Sequence, residues 1–86
     1  MKAFEYTITD ALGIHARPAG LLAKTAQGFP ETVVTVCLGD KEARATQLIR
    51  LLSLGVRQGD RVRVTAEGGD EEAAIAAVEA FFRDNL

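Results

Sequence analysis

The spacing of apolar residues switches several times along this chain of 86 residues, between a period of two and a period near 3.6. A period of two is typical of a strand with one buried face, and a period near 3.6 is typical of a helix with one buried stripe. Since both periods recur along one short chain, the pattern indicates a mixed fold of strands and helices.

The pattern predicts seven elements, in the order strand, helix, strand, strand, helix, strand, helix. The strands are predicted around residues 4–8, 32–38, 42–45 and 61–67, where apolar residues alternate or valines cluster. Gly39 with Asp40 supplies a tight turn, so the second and third strands form a hairpin. No linker, internal repeat or low-complexity run interrupts this order, and we expect one domain over residues 1–86.

Three helices are predicted from apolar residues three and four positions apart. The first begins near Pro18, whose fixed φ suits a first helical turn, and ends at Gly28. The second covers residues 46–54 and is terminated by Gly55, and the third has Asp70 as its N-cap. The predicted buried stripes are Ala19, Leu22, Ala23 and Ala26 in the first helix and Ala74, Ile75, Val78, Phe81 and Phe82 in the third.

The single histidine of the chain, His15, lies where the first helix begins. The first N–H groups of a helix lack intrahelical partners, and the helix dipole leaves a positive charge of roughly half an elementary unit at this end. We expect the amides of Ala16, Arg17 and Ala19 to be free in this way. Such a helix end attracts an anion, and phosphate above all.

The helix end and the guanidinium of Arg17 both disfavour a positive charge on the imidazole ring. We therefore expect His15 to stay neutral, and hence nucleophilic, near neutral pH. If the ring were phosphorylated, the same donors would hold the new charge, and Arg17 could bind two oxygens at once. The alternative is an ordinary helix cap beside a solvated arginine, and the spacing of one His and one Arg by itself favours that interpretation.

Residues 13–19 read Gly-Ile-His-Ala-Arg-Pro-Ala, and this run resembles the active-site motif of the HPr family, the histidine-containing phosphocarriers of the bacterial phosphoenolpyruvate:sugar phosphotransferase system. Residues 48–55 are also similar to that family, and the resemblance extends over essentially the whole chain. It implies an α+β fold, an open-faced β-sandwich in which a four-stranded antiparallel sheet is covered on one face by three helices (βαββαβα).

The resemblance also implies a function. His15 would accept a phosphoryl group on Nδ1 from enzyme I, itself charged by phosphoenolpyruvate, and pass it to a histidine of an enzyme IIA domain for sugar uptake. Arg17 would pair with the phosphoryl group, assisted by backbone amides such as that of Ala16. The chain would then be a phosphotransfer relay component with no turnover of its own small molecule, and neither a cofactor nor a metal is expected.

Partners of such a carrier would dock on an apolar surface around the histidine with a positively charged rim. By resemblance, the partner-binding residues are Gly20, Leu21, Lys24, Leu48, Ile49, Arg50 and Leu52. Within the leucine-rich second helix we expect Leu51 and Leu54 to lie in the core, and Ile49 and Leu52 to be at least partly exposed.

One position departs from the family pattern. HPr proteins of many low-GC Gram-positive bacteria carry a regulatory serine at the start of the second helix, where this chain has Gln47. Because an amide side chain cannot accept phosphate, that control is expected to be absent unless a shift in register brings in Thr46. Ser53 is interpreted as an ordinary surface serine.

Composition argues against other classes of protein. The net charge of −2 argues against a nucleic-acid binder, which needs an excess of Lys and Arg. Cys37 is the single cysteine, so no disulfide forms within the chain, and we expect it to be a partly buried strand residue. The first residues carry charges where a signal peptide is apolar, and no segment approaches the ~20 apolar residues of a membrane span. We expect a cytoplasmic monomer without direct membrane insertion.

Two alternative functions stay open at this point. The same motif would serve an HPr-like carrier of a nitrogen-related branch, or one that phosphorylates a dihydroxyacetone kinase subunit. A noncatalytic regulatory module would bind transcription factors or metabolic enzymes without carrying phosphate, and the presence of both His15 and Arg17 argues against it.

Overall fold

All seven predicted elements are present, in the predicted order, in the computed structural model, which describes residues 1–86. Their bounds are β1 (Lys2–Thr7), α1 (Ala16–Gln27), β2 (Val33–Leu38), β3 (Lys41–Arg44), α2 (Leu48–Ser53), β4 (Arg61–Glu67) and α3 (Glu71–Asn85). The second helix is shorter than the predicted 46–54, because the N–H of Gln47 donates to the carbonyl of Arg44 at 3.0 Å in a turn that precedes the helix.

The four strands form one antiparallel sheet in the order β1-β4-β2-β3. The predicted hairpin of β2 and β3 is confirmed, with Leu38 opposite Lys41 and Gly39 at a φ of 59° in the turn between them. The last strand, β4, lies in the interior of the sheet and pairs with both β1 and β2. The first and last strands in the sequence are therefore neighbours in space.

Three helices cover one face of this sheet, which confirms the predicted open-faced β-sandwich. The buried side chains on the covered face are Val34, Val36, Ala43, Val62, Val64 and Ala66. Opposite them, the predicted stripe of α1 is buried throughout, whereas in α3 Ile75 and Phe81 are only partly buried. The ring of Phe82 packs edge-on against Phe4 and Tyr6, with centroids 5.5 and 5.6 Å away.

The other face of the sheet carries charged and partly buried polar residues, and Cys37 lies on it between Arg63 of β4 and Glu42 of β3. The thiol is partly buried, as predicted. Burial and the Glu42 carboxylate raise the pKa of Cys37, against a lowering by Arg63. The thiol therefore stays protonated near neutral pH.

Acidic side chains at the start of α3 accept hydrogen bonds from nearby backbone N–H groups. Asp70 is its N-cap, as predicted, and accepts a hydrogen bond from the N–H of Ala73 at 3.2 Å. Glu71 accepts one from the N–H of Gly68 at 2.7 Å, and this bond together with the amino group of Met1 lowers the pKa of Glu71. None of the three helices has the length and hydropathy that a membrane-spanning helix requires.

Candidate functional site

His15 is the N-cap of α1, with extended backbone angles of φ −109° and ψ 179°. Its ring makes no capping hydrogen bond, and 35% of the side chain is exposed. The alternative interpretation of His15 as an ordinary helix cap therefore does not describe this ring. Both ring nitrogens are available for chemistry.

Two backbone N–H groups at this helix end are free. The amides of Ala16 and Arg17 make no hydrogen bond in the structure. The prediction for Ala19 was wrong, because its N–H donates to the carbonyl of His15 at 2.9 Å. His15 is the N-cap, so this is the first intrahelical bond, and Pro18 between them has no N–H to offer.

The loop between β1 and α1 is held in place by distant parts of the chain. The N–H groups of Thr9 and Asp10 both donate to the carbonyl of Leu86, at 2.6 and 2.9 Å. Near its other end, the N–H of Ile14 donates to the carbonyl of Val56 at 3.2 Å, and the Ile14 side chain is buried. His15 is thus positioned by the segments that follow α2 and α3.

A cleft of about 380 Å³ opens beside the ring. Its lining residues are Asp10, His15, Arg17, Pro18, Leu21, Asp84 and Asn85. The guanidinium of Arg17 is exposed and forms no ion pair, so it is available to an anion in the cleft. His15, Arg17 and Leu21 are therefore brought together as predicted, in a polar cleft of a size that admits a phosphoryl group.

Three polar residues of the cleft were missed by the sequence analysis. Asp10 places its Oδ1 3.9 Å from Nε2 of His15. Its proximity in sequence to His15 was a signal that could have identified it. Asp84 and Asn85 reach the cleft from the end of α3, and nothing local in the sequence indicates this.

The predicted exposure of the second helix is confirmed. Ile49 is 74% exposed and Leu52 is partly buried, whereas Leu51 and Leu54 lie in the core at 0% and 6%. On α1 and α2, Leu21 and Leu48 are also exposed. Because these helices pack against each other, their exposed apolar side chains lie on neighbouring elements.

The remaining predicted partner-binding residues lie in different places around these exposed apolar side chains of α1 and α2. Lys24 shares a groove with Leu21 and Phe81 of α3, and a side chain added at Gly20 would meet no neighbouring atom. Arg50 does not share the cleft of His15 but lines a depression against β3. Leu12, which was not predicted from the sequence, is 71% exposed in the loop that carries His15.

Comparisons with known proteins agree on one family. The family model described as "PTS HPr component phosphorylation site" matches residues 2–84. The phosphocarrier protein HPr of Mycoplasma genitalium is 41% identical over 85 residues, which cover 99% of this chain and 97% of that protein.

Two solved structures share the fold at comparable coverage. A histidine-containing phosphocarrier protein of Mycoplasma superposes with a TM-score of 0.92 at 30% identity, covering 96% of this chain and 93% of its own. HPr-C-His from Thermoanaerobacter tengcongensis gives 0.90 at 38% identity, covering 98% and 93%. In both cases, nearly the whole of each chain takes part in the match.

Proposed function

The chain belongs to the HPr family, the phosphocarriers of the phosphotransferase system, and we propose that His15 is the residue on which it carries the phosphoryl group. The observation that carries this proposal is the unbonded ring at the N-terminus of α1, next to two free amides and an unpaired guanidinium. A ring nitrogen that caps no helix is free to attack phosphorus.

Arg17 and the amides of Ala16 and Arg17 hold the phosphoryl oxygens in this proposal. The transferred group has a loose transition state with charge spread over its oxygens, so transfer depends mainly on positioning and on charge stabilisation. A guanidinium binds two oxygens in one plane, and helix-terminal N–H groups favour negative charge. These donors keep the group on the carrier between two encounters.

We propose enzyme I as the donor and enzyme IIA domains as the acceptors, with sugar uptake in the cytoplasm as the process served. The carrier must bring its histidine in line with a histidine of each partner, so its surface has to fit both. The exposed Leu21, Leu48 and Ile49 supply an apolar centre. Arg17, Lys24 and Arg50 form a positive rim that favours acidic partners.

A labelling experiment tests the role of His15. The chain is incubated with enzyme I and phosphoenolpyruvate labelled with ³²P, in parallel with His15→Ala. We expect label on the unaltered chain, labile in acid and stable in alkali as a phosphohistidine is, and none on the variant. Because His15 is the single histidine, the variant removes every phosphohistidine site.

A circular dichroism spectrum of His15→Ala serves as the control that the variant is folded. Label on a folded His15→Ala chain would contradict the proposal. So would an acid-stable label on the unaltered chain, since that stability is the property of a serine or threonine ester.

A further inference from the structure

The carboxylate of Asp10 is the single acidic group within 4.0 Å of a ring nitrogen of His15, with Oδ1 3.9 Å from Nε2. We propose that Asp10 is a positioning residue for His15: its carboxylate keeps the proton on Nε2, leaves Nδ1 free as the nucleophile, and stabilises the charge that the ring gains on phosphorylation. This inference rests on the proposed function of His15.

Hydrogen bonds fix both the carboxylate and the backbone of Asp10. The same Oδ1 accepts the N–H of Leu12 at 2.8 Å. The backbone N–H of Asp10 donates to Leu86, and its carbonyl accepts the N–H of Gly13 at 3.0 Å. The side chain is also partly buried, at 30% exposure. Its position is therefore fixed by the fold before any partner binds, so little freedom is lost when the ring reacts.

The position of this carboxylate selects one tautomer of the ring. A neutral imidazole carries one N–H. At 3.9 Å the two side chains form no direct hydrogen bond, and the negative charge of the carboxylate acts on the ring by attracting the N–H dipole that lies nearer to it. The nitrogen that faces Asp10 is Nε2, so the proton is more stable there. The lone pair is then left on Nδ1, and attack on phosphorus comes from that atom.

Phosphoryl transfer takes place while Nε2 keeps this proton. A bond forms between Nδ1 and phosphorus while the bond from phosphorus to the donor's histidine nitrogen breaks, and its electron pair leaves with the donor. Since Nε2 keeps its proton, the phosphorylated ring is an imidazolium with a positive charge. A carboxylate also stabilises an imidazolium in hydrolytic triads, where it is buried and hydrogen-bonded to the ring. On transfer to the acceptor the ring leaves as the neutral Nε2–H imidazole.

Other charges face the same ring. Arg17 and the N-terminus of α1 disfavour its positive form, and Asp84 of α3 lines the cleft on another side. Asp10 is nearer to the ring nitrogens than Asp84, whose carboxylate oxygens lie more than 4.0 Å from them. Asp10 thus offsets the positive groups that hold the phosphoryl oxygens.

The matched variants are Asp10→Asn and Asp84→Asn. Asparagine at position 10 keeps an oxygen for the N–H of Leu12 and removes only the charge, and Asp84→Asn removes the same charge elsewhere in the cleft. The readouts are the ring tautomer, from ¹⁵N chemical shifts of the unphosphorylated protein, and the single-turnover rate of transfer from phosphorylated enzyme I.

In the unaltered chain we expect the Nε2–H tautomer to predominate. Asp10→Asn should mix the two tautomers and slow transfer about tenfold, because the phosphorylated ring loses its counter-charge. Asp84→Asn should have less than a third of the effect on rate.

A predominant Nδ1–H tautomer in the unaltered chain would overturn the inference, and this measurement needs neither a variant nor a partner. Equal effects of the two Asn variants on the rate, or an unchanged ratio of tautomers in Asp10→Asn, would also overturn it. These failures differ from failure of the proposed function, in which His15 of the unaltered chain takes up no label at all.

Discussion

His15 occupies a position that helices commonly fill with Ser, Thr, Asp or Asn, whose oxygens accept hydrogen bonds from the first amides. Its ring makes no such bond, so the amides of Ala16 and Arg17 stay available to an anion. A missing cap costs about 0.5–2 kcal/mol of stability. At this residue the helix lacks the stability that a cap bond supplies, and its free amides are the ones that would bind the phosphoryl group in the proposed function.

His15→Asn should therefore make the protein more stable. The extended backbone at this position suits a capping residue, and an asparagine oxygen can accept the free N–H of Arg17. We expect the free energy of unfolding, measured in urea, to rise by about 0.5–1 kcal/mol while phosphoryl transfer is lost. Asp70→Ala is the control, because it removes a cap bond that exists and should lower stability by about 1 kcal/mol. A less stable His15→Asn would contradict the argument.

The loop from β1 to α1 is the element that places the histidine. At its start Ile8 exchanges backbone hydrogen bonds with Gly59 and Asp60, and at its end Gly13 lies against Val56. Gly13 has a φ of 67°, and a side chain there would clash with the carbonyl of Val56. Glycine is required for both reasons, the backbone angle and the close approach.

Gly13→Ala should lower stability and slow transfer together. We expect a loss of about 2–3 kcal/mol in urea unfolding, since the strained angle costs of order 1 kcal/mol and the clash must also displace the loop. Gly39→Ala is the matched control, because its φ is 59° but no atom lies near the added methyl group. It should lose only about 1 kcal/mol and transfer at the normal rate. Equal losses in the two variants, with normal transfer in both, would show that the contact with Val56 does not place His15.

Across the whole molecule, charge is distributed unevenly. The net charge is −2, yet Arg17, Lys24 and Arg50 on the helix side form no ion pair. On the opposite face of the sheet, Arg61 is paired with Glu5 at 2.9 Å. Unpaired cations around an exposed apolar surface attract an acidic partner and are screened by salt. The overall charge of the chain therefore says little about the surface that a partner meets.

Arg50→Glu should weaken association with enzyme I far more than it weakens folding. We expect Kd to rise about tenfold at low salt, with a smaller effect at high salt, and the free energy of unfolding to change by less than about 0.5 kcal/mol. Titration calorimetry and urea unfolding measure the two quantities.

Lys2→Glu is the control for this prediction. It makes the same change in net charge at the first residue of β1, where an exposed pair with Glu72 is replaced by two exposed like charges of small effect on stability. Equal loss of binding in both variants would mean that net charge alone governs association. If Arg50→Glu lowered the affinity for enzyme I and the free energy of unfolding to the same extent, this side chain would contribute to the fold and not to the interface.

The elements of this protein could be predicted from the sequence because they depend on local patterns. The alternation of residues 61–67 specifies β4, and Asp70 marks the start of α3, since strand faces and helix caps involve residues a few positions apart. The position of His15 at the start of α1 follows in the same way. The amide of Ala19 was misassigned because the N-cap, which decides the first bond, can be located only to within a residue or two from sequence.

The sequence by itself thus determined the strands, the helices and a histidine at a helix N-terminus. Only the tertiary structure decided what surrounds that histidine: the carboxylate of Asp10 at 3.9 Å, and Asp84 and Asn85 at the end of α3. These groups are assembled by the bonds from Thr9 and Asp10 to Leu86, which join residues more than seventy positions apart. Periodicity and capping act over a few residues, whereas such contacts exist only once the helices have packed on the sheet.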